Sequence, residues 1–221
     1  MRKIQKMCAA LLAGVMTVGT FAPSVFADEA PAELTDEQVI NVRTTAFGNN
    51  YDVQDMGWRW MMAACYEGLY RDVADENGDE FILAGAESVD ISDDGTVYTY
   101  HLREDAKWSD GVPVTAHDYE YGWKRLLNPD YAYDYASFIY NVVGAEEYNS
   151  GEGSADDVMA VAVDDYTFEV TLKVADPTFE SKLVATPLYP TREDLAEAAG
   201  DNWGKDWTLC VYNGPFCMTD M

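Results

Sequence analysis

Alternating apolar and polar positions predict strand hairpins in this chain. Val97–Leu102 repeats every two residues, and its valine and tyrosines are strong β-formers. Ala86–Ile91 lies just before it, and the polar turn at residues 92–95 ends in glycine, so this region predicts a β-meander. Residues 161–163 and 168–172 predict a second hairpin around a short polar turn. Three further strands are expected at residues 39–43, 69–73 and 209–218.

Helical periodicity is clearest after residue 115, where apolar and aromatic residues recur on one face at spacings of three and four. Thr115 is expected to cap this helix, Asp118 favours the positive end of its dipole, and the Asn-Pro pair at residues 128–129 ends it. Another helix is expected to begin at Thr191 as its N-cap and to end at Gly200. The remaining predicted helices cover residues 56–66, 131–140 and 177–185.

Composition adds a strong charge imbalance to this mixed α/β pattern. The 221 residues are 48% apolar, which is enough for one large domain or two small ones. Asp and Glu number 40 against 14 Lys and Arg, giving a net charge of −26. Such a surface repels nucleic-acid phosphates and anionic membranes, so we expect no nucleic-acid partner. The charge either serves solubility alone or also attracts cationic ligands.

The N-terminus has the pattern of a secretory signal peptide. Basic residues occupy positions 2, 3 and 6, residues 7–18 are apolar, and small residues precede a cleavage site after Ala27. The apolar run is too short to span a membrane. Cys8 lies too early for lipid modification and lacks the small apolar residues that such a site needs. We therefore predict a periplasmic or extracellular protein that is soluble after cleavage near Ala27.

The cysteines leave two readings open. Cys65, Cys210 and Cys217 follow the predicted cleavage site, and export would permit disulfides. Because their number is odd, at least one must remain free or pair outside the chain, and small buried thiols are the favoured interpretation. The two histidines, His101 and His117, show no metal-ligand spacing with them. We predict neither a metal nor a cofactor.

A catalytic motif is hard to find. The sequence contains no G-x-S-x-G elbow, H-E-x-x-H helix or P-loop, so an enzyme is not predicted. Asp75, Asn77 and Asp79 match the first ligands of an EF-hand loop. However, Glu80 stands where that loop needs glycine, and Ala86 stands where it needs a bidentate glutamate. A plain turn is the better interpretation.

Several stretches together closely resemble the family 5 solute-binding proteins, which include oligopeptide- and dipeptide-binding proteins of ABC importers. The longest is SDDGTVYTYHLREDAKWSDG at residues 92–111. The others, in the family's order, are YEGL at 66–69, PVTAHD at 113–118, WKRLLNP at 123–129, DDYTFEVTL at 164–172 and NGPF at 213–216. One departure lies at residues 50–55, where NYDVQD replaces the family's frequent E-P-x-x-L-D-P.

The resemblance implies an α/β fold of the type II periplasmic binding proteins, in which two lobes close over a ligand. Residues 28–64 would begin the first lobe, residues 65–186 would form an inserted α+β subdomain, and residues 187–221 would return to the first lobe. Family members are considerably longer, so the chain is expected to be an N-terminal fragment that lacks the second lobe.

The resemblance also implies a function. The protein would be a monomeric receptor that delivers oligopeptides to the membrane permease subunits of an ABC importer. By family position, the ligand-facing residues would be Tyr51, Asp52, Tyr135, Asn213 and Gly214, although Asn213-Gly214 alone is equally consistent with a turn before a strand. Since the family also binds nickel complexes, haem and oligosaccharides, these ligands remain alternatives.

Overall fold

The computed structural model describes residues 39–41, 50–55, 59–73 and 81–220, with backbone alone at residues 59–60. The chain divides into two compact units, Met1–Thr45 and Ala46–Met221. In the first unit, residues 39–41 are exposed and form no strand, contrary to the prediction, and residues 42–43 of that predicted strand lie outside the described residues. The predicted signal peptide at residues 1–27 and the calcium-like string at residues 75–79 lie outside the described residues.

A four-stranded antiparallel sheet forms the centre of the second unit. Its strands are β3 (Ala86–Ile91), β4 (Val97–Leu102), β5 (Ala160–Asp164) and β6 (Thr167–Thr171), in the spatial order β3-β4-β6-β5. The two hairpins predicted from the alternating pattern are both present. They join through β4 and β6, which lie side by side although they are far apart in the sequence.

The alternation in β4 and β6 places large apolar residues on one face of this sheet. Tyr100 lies opposite Phe168 across the two strands, and both are fully buried. Trp123 packs edge-on against Phe168, with ring centroids 5.2 Å apart. The indole of Trp123 also donates a hydrogen bond to the Leu188 carbonyl at 2.9 Å. One aromatic layer therefore joins the sheet to the helix above it.

The long helix α2 (Ala116–Leu127) supplies Trp123 and covers this face of the sheet. It begins as predicted, because Thr115 and Asp118 form a capping box in which the Asp118 carboxylate accepts from the Thr115 amide at 2.8 Å. It ends before Asn128, also as predicted. Glu120 of α2 accepts a hydrogen bond from the amide of Ala162, on the edge strand β5, at 2.8 Å.

The remaining regular elements are short. A separate two-stranded sheet pairs β1 (Tyr70–Asp72) with β2 (Phe81–Leu83), so the strand predicted at residues 69–73 is present but does not extend the meander, because it does not pair with β3. The other helices are α1 (Arg59–Cys65), α3 (Ala145–Asn149), α4 (Phe179–Lys182) and α5 (Glu193–Ala199). Turns of 3₁₀ helix lie at Val53–Asp55, Ala136–Ile139, Ala155–Asp157, Thr186–Leu188, Gly200–Asn202 and Trp207–Leu209.

Two predicted helices are much shorter in the structure. Only Ala136–Ile139 is helical within residues 131–140, because Ala132 has a φ of 52°, which an α-helix does not tolerate. Within residues 177–185 the helix α4 covers four residues. It starts late because the Asp176 carboxylate accepts from the Thr178 amide at 2.9 Å and forms a turn there.

Two further predictions at the C-terminal side are corrected. Thr191 is not an N-cap, since α5 begins at Glu193 and the Thr191 hydroxyl accepts instead from the Gln54 side chain at 2.7 Å. Gly200, with a φ of 51°, ends α5 as predicted. Residues 209–218 form no strand, because their backbone bonds go to scattered loops rather than to one partner strand. In the part of the chain that the structure describes, no helix is long and apolar enough to cross a membrane.

Candidate ligand-binding site

The segment from Asn50 to Asp55 carries two of the predicted ligand residues, Tyr51 and Asp52. Both are buried at 5% exposure. The Asp52 carboxylate accepts from the Gln54 amide at 3.1 Å, and this bond leads into the 3₁₀ turn Val53–Asp55. The segment is therefore anchored in the protein by its own side chains.

Arg125 of α2 is the main partner of this segment. Its guanidinium donates two parallel bonds to Asp52, at 3.0 Å and 2.8 Å, and a third to Gln54 Oε1 at 2.6 Å. Both members of the ion pair have side chains only 6% exposed. The planar guanidinium suits this bidentate geometry better than a lysine would. Tyr133 completes the cluster by donating its hydroxyl to Asp52 Oδ2 at 2.6 Å.

The electrostatics of this cluster favour the ion pair. Burial by itself would lower the pKa of Arg125, but the adjacent Asp52 outweighs that effect and the pKa is raised. Burial and the same carboxylate raise the pKa of Tyr133, which keeps its hydroxyl protonated as a donor. The Asp52 carboxylate is thus fully engaged by groups of this chain.

Tyr135 follows Tyr133, which bonds to Asp52, by two residues. Burial first, then the charges of Asp52 and Asp134, raise the pKa of Asp55. The Tyr135 ring itself is partly exposed and meets Phe138 edge-on at 5.3 Å. It presents an aromatic surface beside a buried ionic cluster.

Asn213 and Gly214 dock against the end of α1. The Asn213 side chain accepts from the Glu67 amide at 3.1 Å and donates to the Glu67 carbonyl at 2.8 Å, much as a neighbouring strand would. The Gly214 amide donates to the Cys65 carbonyl at 2.8 Å. A Cβ on Gly214 would lie 2.6 Å from the Cys65 carbonyl carbon, so only glycine fits.

Cys210 contributes to the electrostatic environment of this region. Burial and then Cys210 raise the pKa of Tyr51, while burial raises the pKa of Cys210 to about 12 with contributions from Asp52. Tyr212 and Tyr66 meet edge-on nearby, at 5.3 Å. Tyr51, Cys210 and Tyr212 therefore lie within electrostatic reach of one another.

Sequence reasoning missed the residues that hold this region together, namely Arg125, Gln54, Tyr133 and Thr191. One signal was available. Arg125 lies at the edge of the apolar stripe of α2, on the side that also carries buried Asp118, and a charged side chain buried there needs a partner. That partner is Asp52, which lies 73 positions away in the sequence, so sequence reasoning could not identify it.

Within the described ranges, the cysteines and histidines show no metal-binding arrangement. Cys65, Cys210 and Cys217 are free thiols, and burial first and Cys217 second raise the pKa of Cys65 to about 11. His101 pairs with Asp90 and His117 with Asp165, all at the surface. Among the described residues, no group of three or more His, Cys, Asp or Glu is placed to hold a metal ion.

The fold and these motifs correspond to one protein family. A family model described as bacterial extracellular solute-binding proteins, family 5 Middle, matches residues 80–221. The chain belongs to this family, whose members are transport receptors, as the sequence motifs predicted.

Curated relatives include peptide-binding proteins. The chain is 36% identical over 193 residues to the dipeptide-binding protein DppE of Bacillus subtilis, covering 86% of this chain and 35% of the relative. It is 38% identical over 184 residues to the oligopeptide-binding protein OppA of the same organism, covering 81% and 33%. The chain thus spans about one third of the length of these relatives.

Solved structures agree with these relatives. Listeria monocytogenes OppA bound to peptide aligns with a TM-score of 0.76 at 34% identity, covering 84% of this chain and 37% of that one. The substrate-binding domain of an oligopeptide ABC transporter from Bacillus anthracis aligns at 0.69 and 41% identity, covering 72% and 30%. The predicted α/β fold is confirmed, and the chain aligns with about one third of these OppA-type structures.

Proposed function

We propose that this chain is part of a receptor that binds oligopeptides outside the cytoplasm and delivers them to the permease subunits of an ABC importer. One observation carries the proposal: the DppE and OppA relatives of Bacillus subtilis are 36% and 38% identical over more than four fifths of this chain. Both are named for peptide binding. In this role the protein is a monomer without catalytic activity.

The proposed ligand surface comprises Tyr51, Asp52, Tyr135, Asn213 and Gly214. Tyr135 offers a partly exposed ring for direct contact with the ligand. Asp52 contributes by holding its segment in place, because its carboxylate already pairs with Arg125. An extended peptide on such a surface would be held largely through its backbone, which allows many side-chain sequences.

We further propose that the protein is exported through the signal peptide at residues 1–27 and is soluble after cleavage near Ala27. The segments 28–64, 65–186 and 187–221 remain the proposed start of the first lobe, its inserted subdomain and the return to that lobe. N-terminal sequencing of the secreted protein tests the export proposal, with Asp28 as the expected first residue.

Calorimetric titration tests the ligand. A longer chain that also includes the region corresponding to the remainder of these relatives should bind a mixture of tripeptides to pentapeptides with saturable heat. The 221-residue chain should bind the same mixture far more weakly, because it spans only about one third of the length of the curated peptide-binding relatives. Saturable heat with a different ligand class, and none with peptides, would overturn the proposal.

A second candidate ligand has one observation in its favour. A probable deoxycholate-binding periplasmic protein of Escherichia coli is 35% identical over 137 residues, covering 61% of this chain. Deoxycholate as the added ligand in the same titration separates the two candidates. Peptide binding without deoxycholate binding supports the oligopeptide receptor.

A further inference from the structure

A cavity of about 380 Å³ opens between helices α2 and α5. That volume lies within the range of about 300–1,000 Å³ that is common for small-molecule sites. None of the five proposed peptide-contacting residues lines it. The residues that matter for its chemistry are Tyr121, Arg125, Tyr131, Tyr148, Glu193 and Glu197.

The charges around this cavity do not balance. Three basic side chains line it, and each already has a carboxylate partner: His117 with Asp165 at 3.5 Å, Lys124 with Glu120 at 2.6 Å, and Arg125 with Asp52 at 2.8 Å. By contrast, Glu193 and Glu197 form no ion pair with any basic side chain in the described ranges of the chain. The cavity therefore keeps two negative charges that no described cation neutralises.

The two carboxylates are placed to act together. Glu193 and Glu197 are four residues apart on α5, so they lie on one face of the helix, one turn from each other. The Tyr121 hydroxyl donates to Glu197 Oε1 at 2.9 Å and fixes the orientation of that carboxylate. This bond leaves the second oxygen of Glu197 as an acceptor.

Aromatic rings also line the cavity. Tyr131 is 48% exposed, and the Arg125 guanidinium lies 4.7 Å from its ring centroid. This contact already shows that the Tyr131 ring accepts a cation on one face. Tyr148 adds a second, partly exposed ring. Tyrosine faces suit the alkyl portion and the positive head of an organic cation.

We propose that this cavity binds a small organic cation that carries a primary ammonium or guanidinium group. The head group would donate hydrogen bonds to Glu193 and Glu197, and its alkyl chain would lie against Tyr131 and Tyr148. The overall charge of −26 raises the local concentration of such ligands, although it does not select this cavity over the rest of the surface.

Titration of the 221-residue chain with putrescine and with agmatine, at low ionic strength, tests the proposal. The double variant Glu193→Gln/Glu197→Gln should weaken binding about tenfold, since both charged acceptors are lost. The matched control Glu87→Gln/Glu104→Gln removes two exposed carboxylates elsewhere and should leave the affinity unchanged. Neutral 1,4-butanediol should give no saturable heat.

The aromatic contribution is tested separately. Tyr131→Leu should weaken binding about threefold, because a cation–π contact at an exposed ring is modest, and Tyr131→Phe should restore it. Circular dichroism on every variant checks that the fold is retained. Equal losses in the two glutamate double variants, or no saturable binding by the parent chain, would overturn the proposal and leave only general attraction of cations to an acidic surface.

Discussion

Replacement of Arg125 by methionine is the most direct test of how the candidate ligand-binding site is built. Methionine keeps an unbranched apolar side chain but removes the guanidinium that bonds to Asp52 and Gln54. The variant leaves a buried carboxylate whose remaining donors are the Tyr133 hydroxyl and the Gln54 amide. Neither of these groups carries a positive charge to replace the one that is lost.

The size of the effect follows from burial. Removal of one partner from a buried ion pair costs about 3–5 kcal/mol, because the other charge stays buried without compensation. Arg71→Met is a matched control, since Arg71 also pairs with a carboxylate, that of Glu67, but its own side chain is 51% exposed. An exposed pair of this kind contributes about 0–1 kcal/mol.

Urea unfolding followed by tryptophan fluorescence measures both free energies of unfolding. We expect Arg125→Met to lower the free energy of unfolding by about 2 kcal/mol or more beyond the effect of Arg71→Met, because the two ranges above differ by at least that amount. Asp52→Asn combined with Arg125→Met should recover part of the loss, because the uncompensated charge is then gone. Equal losses in the two arginine variants would refute the argument that Arg125 anchors this segment.

Three further predictions concern other sites. Gly214→Ala should lower the melting temperature, since its Cβ would overlap the Cys65 backbone at 2.6 Å, and an unchanged thermal melt would contradict the described docking. A bond from Lys182, followed by bonds from Thr178, lowers the pKa of Asp176 to about 2. Stability from Asp176 is therefore full above about pH 4 and is lost as the pH falls toward 2, so Asp176→Asn should flatten acid unfolding in that window. In native protein a maleimide should label exposed Cys217 before buried Cys65, as peptide mass mapping would show, and the reverse order would contradict the described burial.

The local parts of the fold could be predicted from sequence because their signals are local. Val97–Leu102 and Ala116–Leu127 match their predicted bounds, since alternation and capping depend only on residues close together in the sequence. The pairing of β4 with β6 was not predicted, because the residues of a strand do not indicate which strand lies beside it. The final strand expected at residues 209–218 failed for the same reason: its backbone partners, such as Ser109 and Cys65, lie far away in the sequence.

The site was harder to predict than the fold. Family position pointed to Asp52 and Asn213 as ligand-facing, and in the structure their polar groups bond to Arg125 and to the Glu67 backbone. A sequence pattern identifies which residues matter in a region, but it does not separate a residue that meets the ligand from one that holds its neighbour. Only the three-dimensional partners make that distinction.

The bond from the Ala162 amide to Glu120 has a consequence for the protein in a crowded medium. An outer strand with free amides is a template onto which another polypeptide can add, and β5 is such a strand. The Glu120 carboxylate, on the helix that lies over the sheet, accepts a hydrogen bond from one of those amides. An approaching strand would have to displace a charged acceptor before it could join, so this border of the sheet resists the first step of self-association.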